Sequence, residues 1–273
     1  MSQDRRDGKA QGRPRERHSG RGPGHVSPDV AQVVLYGFHP VAEALGNPRR
    51  RIRRLLLTEN AAVRLRTERP GLEAAPEIVR AAEISRLVEA DAVHQGFYLE
   101  ADPLPSIELE DLGPDALVLA LDQVTDPHNV GAITRTAAAF GVDAILTTVR
   151  HSPAATGVLA KAASGGLEHV PVVSVRNLAE SLIELGARGF RRIGLDSDGD
   201  VPLGAVRSGR PAVIVLGAEG RGLRQRTRDH CDVLARLEMP GAVKSLNVSN
   251  AAAVALYALC GTRPSTEDLT GGA

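Results

Sequence analysis

Short, predominantly apolar runs alternate with helix-like stretches along the second half of this 273-residue chain. The runs lack the period-two alternation of a half-buried strand, so each is predicted to be a strand with both faces covered. Buried strands that alternate with helices indicate an α/β fold, in which helices cover both sides of a mostly parallel sheet. The predicted strands are Leu117–Leu121, Ala144–Leu146, Val170–Val175, Ile193–Leu195, Val213–Leu216 and Val233–Leu237.

A smaller α/β unit is predicted ahead of this sheet, over residues 33–100. Residues 101–115, which contain three prolines and no sustained periodicity, are predicted to be an interdomain linker. The unit's pattern comprises strands at Val33–Tyr36, Arg54–Thr58 and Gly96–Leu99, a helix at Pro40–Leu45, and helical spacing in 78–82 and 84–90.

Charge is unevenly distributed, although the formal net charge is zero. Residues 1–32 are rich in arginine and poor in large apolar side chains, so they are predicted to be a disordered basic tail. Residues 263–273 are expected to be a flexible C-terminus. A second basic cluster, Arg49–Arg54, could neutralise RNA phosphates, but the arginine-rich composition of the whole chain also accounts for it.

Several classes of protein are disfavoured by what the sequence lacks. No apolar run approaches the roughly 20 residues of a membrane span, and the N-terminus has no secretory signal, so a cytoplasmic protein without a membrane partner is expected. Cys231 and Cys260 are too few for a disulfide framework or a four-ligand zinc site, and no metal is expected. Dinucleotide-binding and phosphate-loop motifs are absent, as is a Ser/His/Asp nucleophile elbow.

Three segments begin at or just after predicted strand ends. Ligands of open parallel sheets bind beyond the carboxyl ends of the strands, so the three segments are expected to meet at one cleft. They are Leu121–Gly131 (LDQVTDPHNVG) running into Arg135, Leu216–Leu223 (LGAEGRGL), and Met239–Gly241 leading to Ser245–Ser249 (SLNVS).

The first segment is predicted to turn at Asp126–Pro127 and to start a helix near Gly131. The helix is expected to end around Phe140, with Gly141 as its C′ residue. Arg135 lies off the apolar stripe of this helix and is expected to point away from the core. On its own, Arg135 also fits an ordinary solvated arginine, and Asn129, placed in the turn, also fits a cap or turn-former.

The second and third segments offer different chemistry. The glycines of the second allow close approach of backbone to a ligand, and Glu219 adds one acceptor. The third places Ser245 and Asn247 at the start of a helix over 246–260, where capping alone would explain either residue. This helix is apolar nearly all round and needs burial on most sides, which a homodimer interface or the monomer itself would supply.

In this order, the three segments resemble the motifs of SpoU/TrmH-type RNA 2′-O-ribose methyltransferases of the SPOUT superfamily. The resemblance implies an α/β methyltransferase domain knotted as a trefoil, an exception to the usual absence of knots. It also implies S-adenosylmethionine as cofactor, bound in a bent form, and an active site completed across a homodimer. By motif position, the catalytic-site residues are Asn129, Arg135, Glu219 and Asn247, and the cofactor-binding residues are Gly217, Leu237, Met239 and Leu246.

The third motif departs from the family's common Ile-Pro-Met-x-Gly. Here the sequence reads Leu237-Glu238-Met239-Pro240-Gly241, with the proline shifted to follow the methionine. The shift affects the assignment of Leu237 most directly, because it changes the residue that follows it.

Upstream, Tyr36–Val41 with Glu43–Leu45 resembles the opening of the ribosomal-protein-like RNA-binding domain of 23S rRNA guanosine 2′-O-methyltransferases. The resemblance covers residues 33–261 and implies an RNA substrate-binding domain at 33–100 and a methyltransferase domain at 116–262. The expected substrate is a guanosine of 23S rRNA, free or in the assembling large ribosomal subunit. Two alternatives stay open: another RNA substrate, as in a tRNA 2′-O-methyltransferase or a resistance-type rRNA enzyme, and a catalytically silent RNA-binding or ribosome-assembly factor.

The implied chemistry is attack by a weakly acidic hydroxyl on an activated methyl group, so the enzyme must align, desolvate and deprotonate. A guanidinium holds its proton too tightly to be a good base. Arg135 is therefore either strongly perturbed or orients the target's phosphate while another group takes the proton, and the sequence leaves both open.

Overall fold

The computed structural model describes residues 32–150, 157–206 and 209–260. The predicted basic tail up to residue 31 and the predicted flexible C-terminus lie outside the described residues. None of the helices in the described ranges has both the length and the apolar character needed to cross a bilayer.

Residues 33–101 form a four-stranded sheet with three helices. The strand order is β1-β4-β2-β3; β4 is antiparallel to β1 and β2, and β3 is parallel to β2. The strands are β1 (Val33–Tyr36), β2 (Ile52–Leu57), β3 (Glu77–Ile78) and β4 (Phe97–Ala101), and the helices are α1 (Phe38–Gly46), α2 (Glu59–Glu68) and α3 (Ala81–Ser85).

The predicted strands and first helix of this unit are confirmed, but the prediction of helical structure across 78–90 is wrong in part. Ile78 ends β3, and the helix α3 spans only Ala81–Ser85. A backbone hydrogen bond from Val79 N to Leu57 O extends the pairing of this segment with β2. Pairing with a neighbouring strand, which periodicity along the chain cannot reveal, therefore decides the conformation here.

The second sheet has seven strands in the order β7-β6-β5-β10-β8-β11-β9, and every pairing in it is parallel. Its strands are β5 (Leu117–Asp122), β6 (Ala144–Thr148), β7 (Val172–Val175), β8 (Arg191–Leu195), β9 (Val201–Pro202), β10 (Ala212–Gly217) and β11 (Val233–Arg236). The helices that accompany it are α4 (Pro127–Ala139), α5 (Gly157–Ala163), α6 (Leu178–Ala187), α7 (Gln225–Arg228) and α8 (Val248–Cys260).

Both faces of this sheet are covered, which confirms the α/β prediction. Along β5, Leu119 and Leu121 join the core beneath α4 and α8, whereas Val118 and Ala120 join the core beneath α6. Full burial of a large aliphatic side chain contributes about 1.5–3 kcal/mol. Continuous apolar strands are therefore expected wherever helices pack on both sides.

Part of the predicted linker, 101–115, packs against the second sheet, whereas its first residue, Ala101, is the last residue of β4. It contains a short 3-10 helix at Leu109–Asp111, and Leu109 and Leu112 are buried in the core on the α6 side. The Arg188 guanidinium donates to the Leu109 and Leu112 carbonyls at 2.8 and 2.6 Å. These bonds satisfy two carbonyls of the irregular segment.

Candidate active site

The carboxyl ends of β8, β10 and β11 open into one cleft with a volume of about 690 Å³. Its wall includes Asp196 after β8, the loop 217–222 after β10, and Leu237 after β11. From the centre of the sheet, β5, β6 and β7 follow one another toward one edge, whereas β10, β8, β11 and β9 lie toward the other edge. Ligands of open α/β sheets bind at such a switch point, here between β5 and β10.

All four residues expected to bind cofactor line this cleft: Gly217, Leu237, Met239 and Leu246. Glu219 of the second segment lines it as well. The side chain of Lys244 lies in the same wall, and its Nζ donates to the Met239 carbonyl at 3.0 Å. The structure thus brings the second and third segments together. Leu237 lines the cleft even though the proline that commonly follows this position in the family is shifted.

The loop after β10 folds tightly back on itself. Ala218 and Gly222 form an antiparallel bridge, and Gly222 N donates to Ala218 O at 2.9 Å. A Cβ at Gly217 would stand 2.1 Å from the Gly222 carbonyl carbon, so no other residue fits without moving the backbone. Gly217 is therefore required by the close approach of the two arms of the loop.

Asn247 joins the three segments through its side-chain amide. Its Nδ2 donates to Asn129 Oδ1 at 3.0 Å and to Glu219 Oε2 at 3.4 Å. Its Oδ1 accepts from the backbone N of Ser249 at 2.9 Å, which is the geometry of an N-cap on α8. Capping and site assembly, which the sequence offered as alternatives, are both performed by this one side chain.

Asn129 lies in the first turn of α4, which begins at Pro127 rather than near Gly131, so its predicted place in a turn before the helix is wrong. Asp126 caps this helix by accepting from His128 N at 2.9 Å, and Asn129 Nδ2 donates to the other Asp126 oxygen at 3.3 Å. An Asp cap followed by Pro at the first helical position is a common start signal that the sequence does contain.

Arg135 is exposed on α4, as expected, while Ile133 and Ala137 are fully buried. It is six residues from Asn129, about 9 Å along the axis at 1.5 Å per residue. Within the described ranges, the Arg135 side chain forms no hydrogen bond or ion pair, and it does not line the cleft. The structure therefore brings Asn129, Glu219 and Asn247 together and leaves Arg135 apart from them in the single chain.

Two ion pairs that the sequence did not single out lie at the carboxyl ends of strands of the second sheet. The Asp122 carboxylate, fully buried at the end of β5, accepts from Arg224 N at 3.0 Å and from Arg224 Nε at 2.6 Å. Asp196 is paired with Arg228 at the end of β8. Polar residues at the ends of otherwise apolar strands were the available signal for both carboxylates.

The described ranges contain no group of three or more His, Cys, Asp or Glu residues that could hold a metal ion. Cys231 is half-buried on the sheet, and its Sγ donates to the Thr227 carbonyl at 3.3 Å. Burial raises the pKa of the Cys231 thiol to about 12, which keeps it protonated and unreactive near neutral pH.

The cleft thus combines a cavity lined by apolar side chains, loop backbone and charged side chains such as Asp196 and Lys244 with a cluster of two amides and one carboxylate at its edge. Amides and carboxylates held by one another can fix the orientation of a bound hydroxyl group.

Comparison with known families identifies both parts of the chain. Residues 116–257 match the SpoU rRNA Methylase family, and residues 34–106 match the family described as RNA 2′-O ribose methyltransferase substrate binding. One similar protein is the 23S rRNA (guanosine-2′-O-)-methyltransferase RlmB of Pseudomonas aeruginosa, 39% identical over 245 residues. The alignment covers 85% of this chain and 98% of that relative.

Solved structures with the same fold include a TrmH-family protein from Porphyromonas gingivalis, with a TM-score of 0.69 and 25% identity over 85% of this chain and 90% of that one. The SpoU methyltransferase AviRb of Streptomyces viridochromogenes, solved in complex with AdoMet, has a TM-score of 0.70 and 22% identity over 88% of this chain and 92% of its own. The motifs, the parallel sheet, the cleft and the match over more than half of the sequence agree: the chain belongs to the SpoU rRNA methylase family.

Proposed function

We propose that this protein transfers a methyl group from S-adenosylmethionine to the ribose 2′-hydroxyl of a guanosine in 23S rRNA. The observation that carries the proposal is the bonding of Asn247 to both Asn129 and Glu219 beside a cleft lined by the four expected cofactor residues. The relative from Pseudomonas aeruginosa, which aligns over 98% of its length, supports the choice of rRNA and guanosine.

The cleft fits a cofactor of this size and character. Its volume of about 690 Å³ lies within the roughly 300–1,000 Å³ usual for small-molecule sites. In this proposal Leu237, Met239 and Leu246 cover the apolar surface of the cofactor, and the backbone around Gly217 hydrogen-bonds its polar edge. When bound, S-adenosylmethionine supplies a methyl group made electrophilic by the neighbouring sulfonium.

The chain's own residues would align the acceptor. Asn129, Glu219 and Asn247 hold one another and thereby fix the ribose or the cofactor rather than react. An exposed guanidinium such as that of Arg135 is suited to bidentate contact with a phosphate of the target nucleotide. We place Arg135 in that orienting role. The ribose oxygen would form its bond to the methyl carbon as the carbon–sulfur bond breaks and its electron pair stays on the sulfur, and the hydroxyl proton would pass to a group other than Arg135.

The organisation proposed for the whole protein follows the same family. It comprises a basic N-terminal segment at 1–32, an RNA substrate-binding domain at 33–100, a linker at 101–115, the methyltransferase domain at 116–262 with a trefoil knot, and a C-terminal segment at 263–273. The match of residues 34–106 to a substrate-binding family supports the second of these. We also propose cytoplasmic activity on 23S rRNA, free or in the assembling large subunit.

A homodimer is proposed because α8 buries only one face in the monomer. Val254, Tyr257 and Ala258 form an exposed apolar stripe at helical spacing, with Val254 45% and Tyr257 68% exposed. Burial of this stripe in a second copy would also supply a partner surface for Arg135, which the described part of one chain does not offer.

The function is tested by incubating purified protein with methyl-labelled S-adenosylmethionine and, separately, unmodified 23S rRNA and bulk tRNA. We expect label in 23S rRNA only. Label in tRNA would assign the protein to the tRNA-modifying branch of the superfamily, and no label in either RNA would favour a silent RNA-binding factor.

Substitution of Arg135 tests its role separately. Arg135→Ala should abolish methyl transfer and leave S-adenosylmethionine binding and the melting temperature nearly unchanged, because the side chain has no described partner in the fold. Arg226→Ala is the matched control, since Arg226 is 65% exposed on α7 and 3.5 Å from an equally exposed Glu180. Normal turnover by the Arg135 variant would refute its proposed role.

A further inference from the structure

A buried ion pair connects the two sheets. Glu168, in the short 3-10 helix Gly166–Glu168 after α5, has a side chain only 2% exposed. Its carboxylate accepts from Arg50 Nη2 at 2.6 Å, from Arg50 Nε at 3.2 Å and from Asn47 Nδ2 at 2.7 Å. Arg50 and Asn47 belong to the segment between α1 and β2, so both partners come from the first sheet's unit.

Both charges of this pair are withdrawn from water. The Arg50 side chain is 3% exposed, and its remaining donor, Nη1, bonds the Asp102 carbonyl at 2.8 Å at the start of the linker. A buried pair of this kind is a weak source of net stability, because desolvation offsets most of its attraction. Its distinctive property is directional, since a bidentate arginine–carboxylate contact accepts one relative orientation of its two partners.

The first residue of the same 3-10 helix contacts the helix that carries Arg135. A Cβ at Gly166 would lie 2.9 Å from the Thr134 carbonyl oxygen and 3.1 Å from Arg135 Cα. Only glycine lets the two backbones pack this closely. Glu168 is therefore held by the first sheet's unit while the residue two positions before it lies directly on the backbone of Arg135.

Further contacts hold the two units in one relative orientation. Glu43 of α1 is 3.0 Å from His169 Nε2, and it is also paired with Arg69. Ala160 of α5 is part of the first sheet's apolar core, and Leu167 packs against the cores of both sheets. The buried pair thus lies within a continuous contact and is its charged, orienting element.

We infer that Glu168 is a positioning residue. Through Arg50 it fixes the orientation of the first sheet's unit, the proposed RNA-binding domain, relative to Arg135. RNA bound by that unit can then reach the cleft of the second sheet. The inference rests on the proposed function for its catalytic consequence, but its structural part is independent of methyl transfer. Misplacement of a substrate by about 1 Å can lower the rate about a hundredfold, so a small change in the relative orientation of the two units is expected to lower the rate of methyl transfer.

The test compares three variants with wild-type protein. Glu168→Gln keeps the shape and removes the charge. The double variant Arg50→Met, Glu168→Met replaces the pair by apolar side chains, which usually recovers stability but has no preferred orientation. Leu65→Ala, in the core of the first sheet's unit and not among the partners of the pair, serves as a control for loss of stability alone.

Two readouts separate positioning from mere stability. Spin labels at Val63→Cys on α2 and Ile183→Cys on α6, both exposed positions, measure the distance distribution between the units after Cys231 and Cys260 are changed to alanine. The other readout is kcat/KM for 23S rRNA beside the Kd for S-adenosylmethionine, measured well below each melting temperature.

For Glu168→Gln and for the double variant we expect a broadened distance distribution, an unchanged cofactor Kd, and kcat/KM lower by about a hundredfold. Leu65→Ala should keep the narrow distribution and the wild-type kcat/KM. A double variant with wild-type kcat/KM and a narrow distribution would overturn the inference. If wild-type protein itself transfers no methyl group, the proposed function fails. The distance distributions alone then decide whether the Arg50–Glu168 pair fixes the relative orientation of the two units.

Discussion

Asn247 combines two contacts that a substitution can separate. Its Oδ1 caps α8 through Ser249 N, while its Nδ2 reaches Asn129 and Glu219. Asn247→Ala should lower the free energy of unfolding by about 1 kcal/mol through loss of the cap, whereas Asn247→Ser should retain nearly all of it. Neither alanine nor serine has an amide that could bridge Asn129 and Glu219, so both variants should lose methyl transfer.

Urea unfolding and initial rates of methyl transfer measure the two effects side by side. A serine variant with full activity would show that the bridge to Asn129 and Glu219 is dispensable.

The partners of the basic run at Arg49–Arg54 could not be predicted from the sequence. Arg50, Arg51, Arg53 and Arg54 stand in one basic run that suggested contact with RNA phosphates, but each is paired with a carboxylate of the protein itself. Their partners are Glu168, Asp102 and Glu77, which are 23 to 118 residues away along the chain. Local charge density could not reveal pairing at that separation.

The loop after β10 is the element on which the cleft most depends. In Gly217→Ala the new Cβ would stand within 2.1 Å of Gly222 backbone, and the loop 217–222 would have to move. We expect S-adenosylmethionine to bind about tenfold more weakly, a loss of about 1.4 kcal/mol, as measured by calorimetry.

Gly113→Ala is the matched control for that substitution. A Cβ added at Gly113 would meet nothing within 4 Å beyond its chain neighbours, and Gly113 lies outside the cleft. Equal cofactor affinity in the two variants would contradict the assignment of the loop to cofactor binding.

At the scale of elements, the sequence predicted most of the strands because most of them contain an apolar run that is buried in the fold. It misplaced the start of α4 by about one turn, since the Asp126 cap and the proline at the first helical position were read as a turn. It also predicted too much helix in 78–90, where β3 pairs with β2. The cleft itself could be anticipated from strand ends, but the cross-segment bonds of Asn247 depend on the fold.

The whole molecule is expected to be a homodimer through α8. Tyr257→Glu places a charge in the exposed apolar stripe and should convert the dimer to a monomer, because a buried unpaired carboxylate is strongly unfavourable. Loss of methyl transfer should accompany it if the partner completes the site around Arg135. Light scattering after size-exclusion chromatography gives the mass.

Val63→Glu is the control, because Val63 is 54% exposed on α2, far along the chain from α8. A Tyr257→Glu variant that stays dimeric would place the interface elsewhere, and a fully active monomer would refute completion of the site across two copies.

The proposed activity of the whole molecule depends on which atom of which nucleotide receives the methyl group. The most direct measurement is nucleotide-resolution mapping of 23S rRNA after incubation with purified protein and labelled S-adenosylmethionine, with alkali resistance reporting a 2′-O-methyl linkage. We predict a single alkali-resistant site, at one guanosine. Label on a base, at several unrelated nucleotides, or nowhere in the rRNA would contradict the proposed function.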